Sequence, residues 1–417
     1  MPTLVTLNES IEYSTEIKYE KDKSGLNQII TDITFDILQD SPRLVADVAN
    51  KLIKSDVLDT VIVRNIDAKK YNIGIDRSKF IKMVHDYMFG YGPLQDYVDD
   101  ESISDIDGTK YNEFTITRNG VRHNIDINFG NEEFFDKYCK LLIRRNYGII
   151  NDNDSQCRVS DTDNRLRINV SVRPRNVSGP AISIRKHRMN SYTLDDLKQI
   201  GMFGSDIKDF LYLVSKKNVN LVVCGNGGSG KTTLLRAIIN NMPELDRVLI
   251  CEKDAEIFPD KRNCIEQKIK NADEGGKLVT LRDLVTDGLT YTLDVYVIGE
   301  SVGAEMRDGL SAAHSGHRFL TTTHSRKADK CLERLLTLSE MANTGESEKT
   351  LKSMIGSSID LVIHMNKFKI VSIFEVLGYS NDSDDFQYNH LYNIRSSRIG
   401  SIGNRLKDIF EGGLYDE

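Results

Sequence analysis

The run Gly225-Asn226-Gly227-Gly228-Ser229-Gly230-Lys231-Thr232-Thr233 restricts the possible folds of this chain more than any other feature. It fits the pattern G-x-x-x-x-G-K-[ST]. The apolar run Leu221-Val222-Val223-Cys224 precedes it and reads as a buried strand, while Leu234-Leu235-Arg236-Ala237-Ile238-Ile239 continues as a helix. Strand, glycine loop and helix together form a phosphate cradle. Glycines let backbone amides curl around an anion, and the helix N-terminus adds partial positive charge. Within that cradle Lys231 is the candidate to neutralise β- and γ-phosphates, and the Thr232 hydroxyl the candidate Mg²⁺ ligand. The expected ligands are therefore ATP and Mg²⁺.

Three further strand-like runs each end in polar residues. Val248-Leu249-Ile250-Cys251 ends in Glu252-Lys253-Asp254-Ala255-Glu256, Val295-Tyr296-Val297-Ile298-Gly299 in Glu300, and Phe319-Leu320-Thr321-Thr322-Thr323 in His324. In an open parallel α/β sheet, ligands bind at the carboxyl ends of the strands. Glu300 is expected to hold Mg²⁺ or activate the attacking water, with Glu252 and Glu256 sharing that duty from a neighbouring strand. His324 is expected to sense the γ-phosphate or relay between subunits. Any one of these carboxylates alone would read as a surface charge; the glycine loop is what raises them. His317 suits a packing or capping role equally well.

Upstream, 417 residues is too long for one ordinary core. The boundaries expected are a flexible arm at 1–25, a helical segment at 26–90, an α+β domain at 91–188, a linker at 189–196, the α/β domain at 197–394 and a tail at 395–417. Ser41-Pro42 suggests a helix start, and Phe80, Ile81, Val84, Tyr87 and Met88 recur at helical spacing before Gly90. Asn119-Gly120 between Phe114–Arg118 and Val121–Ile127 predicts a hairpin, and 131–146 reads as a helix. Leu166, Ile168, Val170 and Val172 alternate with polar residues, which predicts a strand with Arg165, Arg167 and Arg173 on one face. Ile182 and Ile184 alternate with Ser183 and Arg185 in a second strand. From Arg165 to Arg188 there is no acidic residue, although charge runs are ordinarily solvated faces.

The formal net charge of −7 disfavours generic binding to nucleic acid or anionic membranes. No apolar run reaches the roughly 18–20 residues that span a bilayer, and the N-terminus lacks a basic region followed by an apolar one. A cytoplasmic protein is therefore expected. Six scattered cysteines without a CxxC pair predict reduced thiols.

In order along the chain, GNGGSGKTT, CEKDAE, LDVYVIGE and GHRFLTTTH resemble the glycine loop, acidic box, Gly-Glu strand and His box of the type II/type IV secretion ATPases. These are the motors of conjugation systems and of type IV and tight-adherence pili. GYGPLQDY, RLRINV and GPAISIRKH upstream, and LERLLTL, SSIDLVIH and FEVLGY downstream, extend the resemblance from about residue 88 to 394. It is closest to the CpaF-like motors of tight-adherence pili. The resemblance implies a RecA-like P-loop NTPase domain of α/β class, preceded by a smaller α+β N-terminal domain and a helical N-terminal segment. It also implies a homo-hexameric ATPase held at the cytoplasmic face of the membrane by a polytopic inner-membrane platform protein of a pilus or secretion system. Carried over residue by residue, the family's N-terminal-domain arginines fall on Arg167 and Arg185; Arg173, Arg175 and Arg188 read as surface charges. Departures are Lys253 where the family has Asp, Val302 where an arginine is common, and Leu293 where a proline stands.

Two other classes compete with a secretion motor. RecA-like domains also drive nucleic-acid motors, as in conjugation or DNA translocation, but this chain is acidic and has no Trp or evident stacking platform. The other is an assembly scaffold that binds ATP without hydrolysing it, against which Lys231, Thr232 and Glu300 all stand.

Overall fold

A computed structural model describes residues 25–49, 52–187, 191–270, 277–395 and 398–411. The expected arm therefore lies almost wholly outside the described residues, as does Arg188. Two compact units are present, one ending at His187 and the other running on from there.

In the first unit, helices at 25–40, Pro42–Ala49, Asp56–Lys69 and Arg77–Phe89 precede a sheet. The last of these starts where the Asp76 carboxylate accepts the amides of Ser78 and Lys79, and stops at Gly90. The sheet contains β1 (Ile103–Lys110), β2 (Glu113–Arg118), β3 (Val121–Ile125), β4 (Gln156–Asp161), β5 (Leu166–Ser171) and β6 (Ala181–Lys186). Their order is β3-β2-β1-β6-β5-β4, antiparallel throughout. Asn119 and Gly120 both have positive φ, the turn that an Asn-Gly hairpin requires. The helix Glu132–Arg145 starts at Asn131, whose side chain accepts the Phe134 amide. It sets Phe135 and Tyr138 among Phe114 and Phe129 in an aromatic core.

The second unit starts earlier than its composition implies. Thr193 and Asp196 form a reciprocal cap, so the helix Leu194–Gln199 starts inside the stretch expected to be linker. Its sheet contains β7 (Leu221–Gly225), β8 (Val248–Glu252), β9 (Cys264–Lys268), β10 (Val295–Ile298), β11 (Arg318–Thr323), β12 (Leu361–Asn366), β13 (Lys369–Ser380) and β14 (Asp385–Asn393). The order is β14-β13-β12-β7-β11-β10-β8-β9. The six strands from β12 to β9 are parallel, and β13 and β14 are antiparallel additions. Alternation decides the two faces of β7. Leu221 and Val223 pack with Leu234, Leu235 and Ile238, while Val222 and Cys224 pack with Leu310, Leu335 and Ile355. A strand covered on both faces reads as one continuous apolar run, as 221–224 does. All six cysteines are free thiols.

The segment after Ile394, expected as a tail, includes a helix over Asn404–Glu411. Leu406 is fully buried in the core beside β7. The buried Glu375 carboxylate accepts the Gly403 amide at 2.6 Å and the Leu406 amide at 3.1 Å, so it satisfies the first turn of that helix. Arg405 donates to the buried Asp360 carboxylate at 2.7 Å and to the Gly356 carbonyl at 2.7 Å. Truncating Leu406 to Ala is expected to destabilise the second unit by about 2–5 kcal/mol, read as a lower urea midpoint with unchanged slope. A midpoint shift too small to resolve would mean that this helix is not part of the cooperative core.

Candidate functional site

The register of the parallel strands lines up their carboxyl ends. Thr323 lies opposite Cys224, Thr321 opposite Ile298, and Ile298 opposite Cys251. The strand order β7-β11-β10-β8 therefore sets the glycine loop, His324, Glu300 and Glu252 along one edge, in that sequence.

Asn226, Gly227 and Gly228 form the exposed crown of the loop, and Ser229 is buried beneath it. Two positions need glycine. A Cβ on Gly225 would lie 2.2 Å from the Met365 carbonyl oxygen of β12, and Gly230 has φ +93° with the Phe368 ring 2.8 Å from where its Cβ would be. The helix Lys231–Asn240 then starts, with Thr232 and Thr233 half-buried in its first turn. Lys231 is buried, and its ammonium donates to the Gly225 and Asn226 carbonyls at 3.3 and 3.2 Å. Burial pulls its pKa below the ordinary lysine value, opposed by the Glu300 and Glu256 carboxylates. These groups fit a triphosphate with a divalent cation: open helix-start amides, a held ammonium, the Thr232 hydroxyl, and the buried Ser229 Oγ, which has no hydrogen-bond partner.

Glu300 and His324 meet across the strand ends. His324 Nε2 lies 2.7 Å from Glu300 Oε1, and both side chains are about half exposed, at 52% and 43%. The His324 ring also approaches the loop, with Cε1 3.8 Å from the Cβ position of Gly227. Glu252 differs from expectation. Its side chain is buried against Gly299, and its carboxylate accepts the amides of Glu256 and Ile257 at 3.2 Å each. Burial pushes its pKa up to about 8, against the lowering effect of those amides. A carboxyl committed in this way fixes the loop carrying Glu256 and does not reach toward ligand. Glu256 itself is half-buried, Asp254 likewise, and Lys253 is exposed. His317 lies at the amino end of β11, the opposite edge from His324. There it stacks edge-on against Tyr296 at 5.1 Å and bonds Ser315 at 3.0 Å, which is a packing role.

In the first unit, Arg167 and Arg185 face each other directly across β5 and β6. Arg185 Nε donates to Asp105 Oδ1 at 2.9 Å from the next strand of the same row. The expectation that Arg165 and Arg173 share a strand face with Arg167 does not hold. Arg165 has φ +52° just before β5, and Arg173 lies beyond its end, paired with Glu132 at 2.8 Å. Alternation runs past the ends of the paired strand, so counting by two overextends the face.

Several residues that shape the site were not picked out from sequence. Glu305 is buried and accepts the Val302 and Gly303 amides at 2.6 and 2.7 Å, which pins the turn after Glu300. Arg318 is buried and donates to the carbonyls of Val214 and Ser215 at 2.9 Å, satisfying the end of the helix Ser205–Lys216. Burial lowers its pKa to about 10. The three threonines of β11 were visible as a polar run in a strand otherwise built for burial, and that was a usable signal.

Fold and site define a P-loop nucleotide-binding protein with a RecA-like sheet, preceded by an α+β domain. The chain belongs to the type II/IV secretion system protein family, whose pattern matches residues 151–369. It is 28% identical over 220 residues to the conjugal transfer protein TrbB of Rhizobium radiobacter, a match covering 49% of this chain and 63% of that protein. A putative conjugal transfer protein of Mycobacterium tuberculosis is 27% identical over 202 residues, covering 48% and 57%. The chain thus spans less than two thirds of the length of these relatives. Among solved structures, the pilus retraction motor PilT with bound ADP shares the fold, with TM-score 0.50 and 15% identity over 76% of this chain and 85% of that one.

The buried Glu252 gives a pH prediction. Its folded value lies above the ordinary 4.5, so the neutral form contributes stability that is complete below about pH 4.5 and is lost as pH rises through about 8. Glu252→Gln keeps the shape without the proton. Its unfolding free energy relative to wild type is expected to rise steadily from pH 5 to 8, measured by urea unfolding; a difference independent of pH would show that Glu252 stays ionised.

Proposed function

We propose that this chain hydrolyses Mg·ATP as a homo-hexamer and couples the reaction to pilus assembly or protein secretion, as a CpaF-like motor. The observation that carries the reading is the convergence of the glycine loop, Glu300 and His324 at one sheet edge, with the two side chains 2.7 Å apart. In this reading the loop amides and Lys231 hold the β- and γ-phosphates, and Thr232 and Glu300 serve Mg²⁺. When bound, the metal neutralises charge on those phosphate oxygens. Glu300 orients or deprotonates the attacking water, and His324, bonded to it, senses the γ-phosphate. Glu256 adds negative charge from the neighbouring strand end.

Arg167 and Arg185 complete the charge neutralisation from the N-terminal domain. Their placement side by side in one strand row supports acting as a pair. Contact with the membrane runs through a polytopic platform protein on its cytoplasmic face. Among the described residues no helix is long and apolar enough to cross a membrane.

Lys231→Ala is expected to abolish ATP turnover, measured as phosphate release, with loss of ADP binding by fluorescence; normal activity would refute the phosphate cradle. Arg185→Ala should leave ADP affinity within twofold and lower hydrolysis at least about tenfold, toward the range for arginines that complete a phosphoryl-transfer site. An unchanged rate would mean that this arginine serves only its Asp105 pair. Strong stimulation by single-stranded DNA would instead favour a nucleic-acid motor.

A further inference from the structure

The last hydrogen-bonded pair between β10 and β11 is Ile298 with Thr321, so Glu300 lies beyond the ladder. Backbone outside a sheet ordinarily has freedom to move, yet both peptide groups flanking Glu300 are held, and by the same residue. The Thr322 hydroxyl donates to the Gly299 carbonyl at 2.7 Å, and the Thr322 carbonyl accepts the Ser301 amide at 2.8 Å. Two further contacts fix Ser301. Its hydroxyl bonds Thr321 Oγ1 at 2.7 Å, and its carbonyl accepts the Thr323 hydroxyl at 3.2 Å. Ser301 and the three threonines are all at most 1% exposed, so water does not compete for these bonds. Two residues after Thr322, His324 meets the Glu300 carboxylate itself.

We propose that Thr322 is a positioning residue for hydrolysis: its side chain and backbone clamp the peptides on either side of Glu300 and so aim that carboxylate. The inference rests on the reading of Glu300 as the group that activates water. Clamping two consecutive peptides fixes the backbone dihedrals at Glu300, and with them the direction of its Cα–Cβ bond. The same strand end then supplies both the backbone grip and, through His324, the partner for the carboxylate. A misplacement of about 1 Å costs on the order of 100-fold in rate without altering what binds the phosphates. None of the clamping atoms belongs to the glycine loop, so the effect should fall on turnover and spare nucleotide affinity.

The experiment is steady-state ATP hydrolysis with ADP affinity and thermal unfolding on the full chain, for Thr322→Val, Thr322→Ser, Glu300→Gln and the double variant Glu300→Gln/Thr322→Val. Val keeps the shape and removes the hydroxyl. Expected are a kcat at least 10-fold lower in Thr322→Val, with KM and ADP affinity within twofold, and recovery to within threefold in Thr322→Ser. The double variant should be no slower than Glu300→Gln, since Thr322 acts through that residue. If Glu300→Gln turns over normally, the reading of Glu300 fails, whatever Thr322 does. If Glu300→Gln is slow but Thr322→Val keeps its kcat, or the double variant loses a further 10-fold, the clamp is overturned. Should Thr322→Val unfold, Thr322→Ala, which removes the same hydroxyl, is judged by the same kcat-against-KM split.

Discussion

The parallel register of β7, β11, β10 and β8 is the constraint from which the site follows. Parallel strands in matched register end together, so residues as far apart in sequence as Cys224 and Thr323 arrive at one edge. Antiparallel pairing would send alternate strand ends to opposite edges and separate His324 from both the glycine loop and Glu300. The parallel arrangement is sustained only because both faces are covered, and each strand accordingly alternates its apolar side chains between two cores. His317 and His324 lie on either side of one strand, and the register alone gives them different fates.

Burial of charged groups is the second organising cost, and Asp360, Arg318, Glu375 and Glu305 each have partners that account for it. Asp360, pushed up by burial, accepts the Asn220 amide at 2.8 Å and the Arg405 guanidinium. Arg318 satisfies helix carbonyls, Glu375 satisfies helix amides, and Glu305 pins the turn after Glu300. Asp360, Arg318 and Glu375 cluster around the amino ends of β7, β11 and β12 and stiffen the sheet from the edge opposite the loop, while Glu305 holds the turn beyond β10. The site side chains themselves, Glu300 and His324, remain about half exposed. Rigidity is supplied from below, and chemistry is left open above.

Much of this was legible. The glycine loop, the three strands that end in acidic residues or histidine, and the Asn-Gly hairpin each have local causes: positive φ, apolar runs, and helix-start chemistry. Glu252 shows where legibility ended. A carboxylate at a strand end reads as a ligand group, and only the fold reveals that its oxygens are taken by two amides and its side chain packed on Gly299. The arginine face was overextended because alternation does not reveal where pairing stops. The helix Asn404–Glu411 carries no motif, since what defines it is the burial of Leu406 and the acceptance of its amides by Glu375, both contacts with distant residues.

By itself the sequence determined which residues can cradle a phosphate, because that capacity resides in consecutive glycines, a lysine and a helix start. It also determined which segments are strands buried on both faces. The tertiary structure alone decided the neighbours of each strand, the edge at which each histidine lies, and which carboxylates are spent on the protein's own backbone. The reason is physical: hydrogen bonds between segments far apart in the chain, and the desolvation they must offset, depend on strand order and register, which no local pattern encodes.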